Sequence, residues 1–196
     1  MKFPENILEI SQLEPDLLGF IFYENSPRNF DVKIPELPEK IKKVGVFVNA
    51  SFEEIKSKIA IYNLDFIQLH GNESPEFCLK LQETISIIKA FPIDENFDFE
   101  TLNKYSESCT YFLFDTKGKN HGGNGIAFDW NILENYKLEK KYFLSGGIGL
   151  ENASDLKEFL KKEYAKNCFG IDINSKFEVT PGLKNTEKII AFKSKL

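Results

Sequence analysis

The chain is poor in the residues that build small metal and disulfide centres. Of 196 residues only three are cysteine and two are histidine. Cys78, Cys109 and Cys168 are odd in number, widely spaced and without any C-x-x-C pairing, which argues against a disulfide framework and against a zinc site. His70 and His121 are too few for a histidine-rich metal centre. No apolar run approaches the roughly 18 residues of a membrane span, and no apolar stretch follows Met1-Lys2-Phe3 as in a signal peptide. A reducing cytoplasm is therefore the expected location. The net charge of −5, with Lys and Glu interspersed, gives no electrostatic reason to expect a nucleic-acid partner. Linkers and low-complexity tracts are also lacking, so residues 1–196 are expected to form one domain.

What is present is a repeated pattern. Seven short apolar runs stand out: Leu17–Phe22, Val44–Val48, Phe66–His70, Ile87–Phe91, Tyr111–Asp115, Tyr142–Ser145 and Phe169–Ile173. They are nearly continuous in hydrophobicity, as parallel strands covered on both faces should be. Their starts lie roughly 20 to 30 residues apart, the length of one βα unit. Helix signals fall between them. Ser51 with Glu54 three residues later makes a capping box, and Ser74-Pro75 places an N-cap before a proline at the first helical position. Pro4 opens an amphipathic stretch to Leu13, and further helices are expected over Ala153–Glu163 and Thr186–Phe192. Such alternation builds either a doubly wound sheet or a (βα)8 barrel. Polar residues at the ends of many successive strands favour the barrel, because a doubly wound sheet gathers them at its switch point. A barrel needs eight strands and this chain offers seven after an opening helix. The expected fold is a (βα)8 TIM barrel lacking its first strand.

The candidate chemistry sits at those strand ends. Residues 112–130 read FLFDTKGKNHGGNGIAFDW: an apolar strand ends in a carboxylate, Asp115, beside a Gly-Gly-Asn-Gly loop. Ser145-Gly146-Gly147-Ile148-Gly149 follows the next run and by itself reads equally well as a tight turn or an anion cradle. Gly170-Ile171-Asp172-Ile173-Asn174-Ser175 after the last run favours the cradle, since barrels bind phosphate on the loops after their last two strands. His70, in Gln68-Leu69-His70-Gly71, is a packing residue or a ligand contact. Arg28 is a solvated loop residue or a partner for a ligand carboxylate. Asp129 and Trp130 read as a helix cap and a packing residue. The three cysteines occupy no catalytic strand end.

Taken in order, the stretches LGFIFYENSPR, VGVFVN, IQLHGNE, FDTKGKNHGGNGIAFDW, LSGGIGLENA and GIDINSKFEVTPGLKN resemble the phosphoribosylanthranilate isomerase family of tryptophan biosynthesis. They run from about Leu18 to Asn185. LSGGIG is shared with other phosphate-binding barrels, whereas QLHG and the acid–loop–FDW combination are more specific. The resemblance implies an Amadori rearrangement of an N-linked phosphoribosyl anthranilate to the carboxyphenylamino-deoxyribulose phosphate, without metal or cofactor. It implies Asp115 as general acid, with a carboxyl pKa raised for that task. Arg28 would engage the anthranilate carboxylate, and His70 and Asp172 other parts of the substrate. Gly146, Gly147, Asn174 and Ser175 would hold its phosphate. The expected partner is this small phosphosugar alone, with no membrane or nucleic acid, and the protein is expected to be a monomer or homodimer. The family opens with a strand reading approximately Lys-Val/Ile-Cys-Gly-Met whose cysteine is the general base. Met1-Lys2-Phe3-Pro4 matches the segment immediately after that cysteine and glycine, so the base and its strand are expected to be missing. A late-called start accounts for this, as does a shortened, inactive remnant that binds phosphosugars without turning them over. A different phosphate-binding barrel such as indoleglycerol-phosphate synthase lacks support from its own N-terminal region and lysine pattern.

Overall fold

The structure, a computed structural model, describes residues 1–117 and 128–196. The Gly-Gly-Asn-Gly turn expected after Asp115 lies outside the described residues. Seven strands form one sheet: β1 (Leu17–Phe22), β2 (Lys42–Phe47), β3 (Phe66–Leu69), β4 (Ser86–Ile93), β5 (Tyr111–Thr116), β6 (Tyr142–Leu144) and β7 (Cys168–Ile171). They lie side by side in sequential order, and every neighbouring pair is parallel. Sequential order without a reversal is barrel order, not that of a doubly wound sheet. The sheet is nevertheless open, a curled half-barrel with β1 and β7 as its edges.

Among the described residues five α-helices accompany it: α1 (Pro4–Ser11), α2 (Phe52–Tyr62), α3 (Pro75–Gln82), α4 (Ala153–Leu160) and α5 (Thr186–Lys193). Both serines cap as foreseen, although among the described residues the return bond from the Ser51 N–H to the Glu54 carboxylate that completes a capping box is absent. Ser51 accepts from the Glu54 N–H and Ser74 from the Phe77 N–H, each at 3.2 Å. Around β5 the crossovers are tighter than expected. The segments Phe99–Tyr105 and Trp130–Asn135 are 3₁₀ helices, opened by Asp98 and Asp129, each of which accepts from the N–H two residues on. Trp130 is buried and packs on Phe159, with ring centroids 5.8 Å apart.

Strand alternation divides the core in two. Phe112 and Phe114 of β5 face the helical layer, together with Phe20, Phe47, Ile67 and Ile87. Leu113 faces the inside of the curl with Val44, Ile88, Ala90 and Phe143. Both faces are covered, so the strands read as continuous apolar runs. The same alternation carries the next inward position of β5 to its C-terminal end, and that residue is Asp115.

One element was not foreseen. Strands β8 (Glu178–Thr180) and β9 (Leu183–Lys184) form a small antiparallel hairpin between β7 and α5. Pro181-Gly182 turns it, with Gly182 at φ 87°, the proline-then-glycine order of a type II turn.

Candidate active site

The open inside of the sheet forms one cavity of about 950 Å³ that runs from Leu17, Lys42 and Tyr111 at the strand starts to Arg28, His70, Asp115, Gly146, Asp172 and Asn174 at their C-terminal ends. Backbone bonds set these residues in place just beyond the strands. The His70 N–H donates to the Phe47 carbonyl at 2.8 Å, Ser145 N–H to Phe114 at 2.8 Å, and Asp172 N–H to Leu144 at 2.8 Å.

Asp115 is 6% exposed. Its Oδ1 accepts from the Thr116 N–H at 2.9 Å, and its Oδ2 lies 3.2 Å from His70 Nε2. The Gln68 amide nitrogen lies 2.8 Å from His70 Nδ1. An amide NH2 can only donate, so Nδ1 is the acceptor, the ring proton sits on Nε2, and His70 donates to Asp115. The Gln68–His70–Asp115 line is thus directional.

Gly146 presses against this acid. It lies at φ 87°, and a methyl group added there would come within 2.3 Å of Thr116 Oγ1 and 2.8 Å of Asp115 Oδ1. Glycine is required twice over, by the left-handed backbone and by the close approach. Gly147 follows at φ 64°, and Asn152 holds the loop by donating to the Gly147 carbonyl at 3.2 Å while accepting from the Gly149 N–H at 2.9 Å. Among the described residues, nothing accepts from the backbone N–H groups of Gly146, Gly147, Asn174 or Ser175. The two loops are joined across the mouth by Lys176 and Glu151 at 2.7 Å.

Asp172 accepts from the Ser145 hydroxyl at 3.0 Å. Enclosure by protein raises its carboxyl above the ordinary aspartate range; the Ser145 bond opposes that rise and the neighbouring Asp115 charge adds to it. Part of its surface still opens to the cavity.

Arg28 is no solvated surface residue. Its Nε bonds both carboxylate oxygens of Glu178 at 3.0 Å and its Nη2 bonds Oε2 at 2.6 Å. Glu178 in turn meets Lys184 at 3.1 Å. Neither residue was singled out in the sequence, nor was the buried pair of Lys89 and Glu73, 3.1 Å apart. Lys89 Nζ donates to the carbonyls of Leu69 at 3.2 Å and Gly71 at 2.8 Å, on either side of His70. The one available signal was a lysine inside the apolar run Ile87-Ile88-Lys89-Ala90-Phe91.

The cysteines stay away from this chemistry. Cys78 lies in α3 and Cys109 precedes β5, both buried in the helical layer. Cys168 begins β7, at the opposite end from the site, and burial pushes its thiol up to about 12. No group of three or more metal-binding side chains occurs among the described residues, and no described helix is long and apolar enough to cross a membrane.

A family model described as N-(5'-phosphoribosyl)anthranilate (PRA) isomerase matches residues 2–195. The N-(5'-phosphoribosyl)anthranilate isomerase of Parabacteroides distasonis is 46% identical over 200 residues, covering 98% of this chain and 88% of the relative. That of Phocaeicola vulgatus is 41% identical over 197 residues, covering 100% and 94%. The crystal structure of phosphoribosyl anthranilate isomerase from Thermus thermophilus superposes with a TM-score of 0.84 at 26% identity, over 100% of this chain and 94% of that one. A phosphoribosyl anthranilate isomerase in complex with reduced 1-(o-carboxyphenylamino)-1-deoxyribulose 5-phosphate superposes at 0.79 with 29% identity, again over 100% and 94%.

Proposed function

Because this chain belongs to the N-(5'-phosphoribosyl)anthranilate isomerase family, we propose that its strand-end cavity performs that isomerisation in tryptophan biosynthesis, with Asp115 as the general acid. Asp115 delivers a proton to the furanose ring oxygen as the C1–O bond breaks, leaving a C1=N Schiff base. A base removes the proton from C2, and the electron pair forms the C1–C2 enolamine, which tautomerises to the C2 ketone. His70, with its tautomer set by Gln68, donates to one carboxyl oxygen and so orients the acid without competing for its proton. The observation that carries this reading is the His70–Asp115 contact of 3.2 Å beside Gly146, whose backbone leaves room for nothing larger.

The remaining assignments follow the ends of the substrate. Glu178 uses Nε and Nη2 of Arg28, leaving Nη1 for the anthranilate carboxylate. The N–H groups of Gly146, Gly147, Asn174 and Ser175 serve the phosphate, and the Asp172 carboxyl serves the sugar. The base belongs to none of the three cysteines. We assign it to an additional parallel strand between β1 and β7, preceding Met1. Two observations support this: among the described residues neither edge has a further strand beside it, and the Met1 backbone nitrogen donates to the Gly19 carbonyl of β1 at 2.6 Å. This strand is the first one that the barrel pattern of the sequence lacks.

The test is turnover and rescue of a tryptophan auxotroph by the chain preceded by its in-frame Lys-Val-Cys-Gly-like segment. Asp115→Asn in that protein lowers kcat by about 10²–10⁴-fold, the usual contribution of a positioned acid. An Asp115→Asn variant of normal kcat refutes the acid, and full activity without the added strand refutes the origin of the base.

A further inference from the structure

The hairpin that the sequence concealed carries two charged side chains at the mouth of the site, Glu178 and Lys184, and each is taken up by protein partners. Glu178 is shared. It takes Nε and Nη2 of Arg28 on one side, Lys184 Nζ on the other, and the Gly182 N–H of its own turn at 3.1 Å. Lys184 is 9% exposed, and its ammonium has three protons. All three are spent: on Glu178 Oε1 at 3.1 Å, on the Asn174 carbonyl at 3.0 Å and on the Asn174 side-chain oxygen at 2.6 Å. Lys184 therefore has no proton left for a substrate, although it borders the cavity.

The chain of contacts runs Arg28–Glu178–Lys184–Asn174. Its first member is the proposed carboxylate-binding group and its last is the start of the proposed phosphate loop. The two lie at opposite ends of the substrate. Register fixes the middle of the chain, because Glu178 and Lys184 are direct cross-strand partners in the hairpin. The turn cannot drift either, since the Lys184 backbone N–H donates to Asn6 Oδ1 at 2.7 Å and its carbonyl accepts from Asn6 Nδ2 at 3.0 Å.

We propose that Glu178 and Lys184 are positioning residues that join the carboxylate-binding arginine and the phosphate loop into one frame, so that the spacing between the two anion sites is set by the hairpin. Glu178 holds the guanidinium by the edge a ligand does not need, and Lys184 pins both polar oxygens of Asn174. The inference rests on the reading of the two anion sites given above. It adds that one carboxylate governs both.

The experiment uses NMR titration of the chain with two fragment probes, anthranilate for the carboxylate end and ribose 5-phosphate for the phosphate end. Glu178→Gln is expected to weaken both probes by about tenfold, the size of a lost charge-assisted hydrogen bond, with Glu178→Asp recovering part of each. Lys184→Met keeps the Arg28–Glu178 pair and is expected to weaken ribose 5-phosphate more than anthranilate. Folded Glu178→Gln that loses affinity for only one probe, or only melting temperature, overturns the proposal. If Glu178→Gln does not fold, Lys184→Met decides alone, and unchanged ribose 5-phosphate binding overturns it. An unaltered chain that binds neither probe refutes the reading of the site itself, a result distinct from either variant outcome.

Discussion

Asp172 has two competing tasks. It lines the cavity, where we propose that it meets the sugar, and accepts from Ser145, yet protein encloses it and Asp115 stands near, so its carboxyl is held above the ordinary aspartate value. A raised value means that the folded chain binds the proton more tightly than the unfolded chain, whose aspartates titrate near about 3.9. The resulting stabilisation is complete below that value and is lost as pH rises through the folded one. Near neutrality an ionised Asp172 is a cost to the fold. An asparagine side chain in its place would stay neutral at every pH and could still accept from the Ser145 hydroxyl. Asp172→Asn should therefore melt higher than the unaltered chain at pH 7–8, with the advantage closing as pH falls toward about 4. Thermal melts across that range check it, and a difference independent of pH would remove the titration argument. If Asp172 serves the sugar as proposed, stability gained in this way is expected to cost activity.

At the level of elements, the hairpin is held from outside by α1. Asn6 is 4% exposed and makes a reciprocal amide clasp with both backbone groups of Lys184. Asn6→Ala leaves a buried N–H and a buried carbonyl without these partners, which costs about 2–4 kcal/mol for the two bonds. Chemical denaturation should give that loss, and a change below about 0.5 kcal/mol, the scale of an ordinary surface substitution, would show that the clasp holds nothing. This element also marks where sequence reading stops. The seven strands were legible because both faces are covered and each reads as an apolar run, and α2 and α3 were legible from Ser51 and Ser74. The placement of Asp115 at a strand end and of the Gly146-Gly147 turn at the next was legible because each follows directly on an apolar run. The hairpin has strands of three and two residues, too short for periodicity to register. Its partner Arg28 is 150 residues from Glu178, and the meaning of both charges depends on that distant contact. Lys89 was hidden differently: one charge inside an apolar strand does not break the run, and its carbonyl partners are assembled only when β3 and β4 pair.

For the whole molecule, the open side of the sheet determines how the chain behaves. In a parallel strand both backbone groups of a residue point the same way, alternating along the strand. The Asp16 carbonyl accepts from Lys42 beside β2, whereas the Gly19 carbonyl accepts from Met1 and the Ile21 carbonyl from Phe30. The even residues of β1 thus face β2, and Leu17, Gly19 and Ile21 face outward. At the other edge, Phe169 of β7 is 51% exposed although its ring packs on Tyr111 and Phe143. Among the described residues neither edge carries a further strand, β1 having only the isolated bridge from Ile21 to Asn29, and with an apolar interior between them the two edges favour association with any further strand, including that of a second molecule. Amide hydrogen exchange on the present chain should be fast at Leu17 and Gly19 and slow at Leu18, Phe20 and Phe22, whereas Ile21 is bridged on its outer side to Asn29. With the preceding strand in place, the amides of Leu17 and Gly19 should slow by about a hundredfold or more, since local opening then requires breaking ladder bonds in a closed barrel. Equal protection along β1 in the present chain would mean that its outer edge is already covered, and the proposed position of the eighth strand would have to be abandoned.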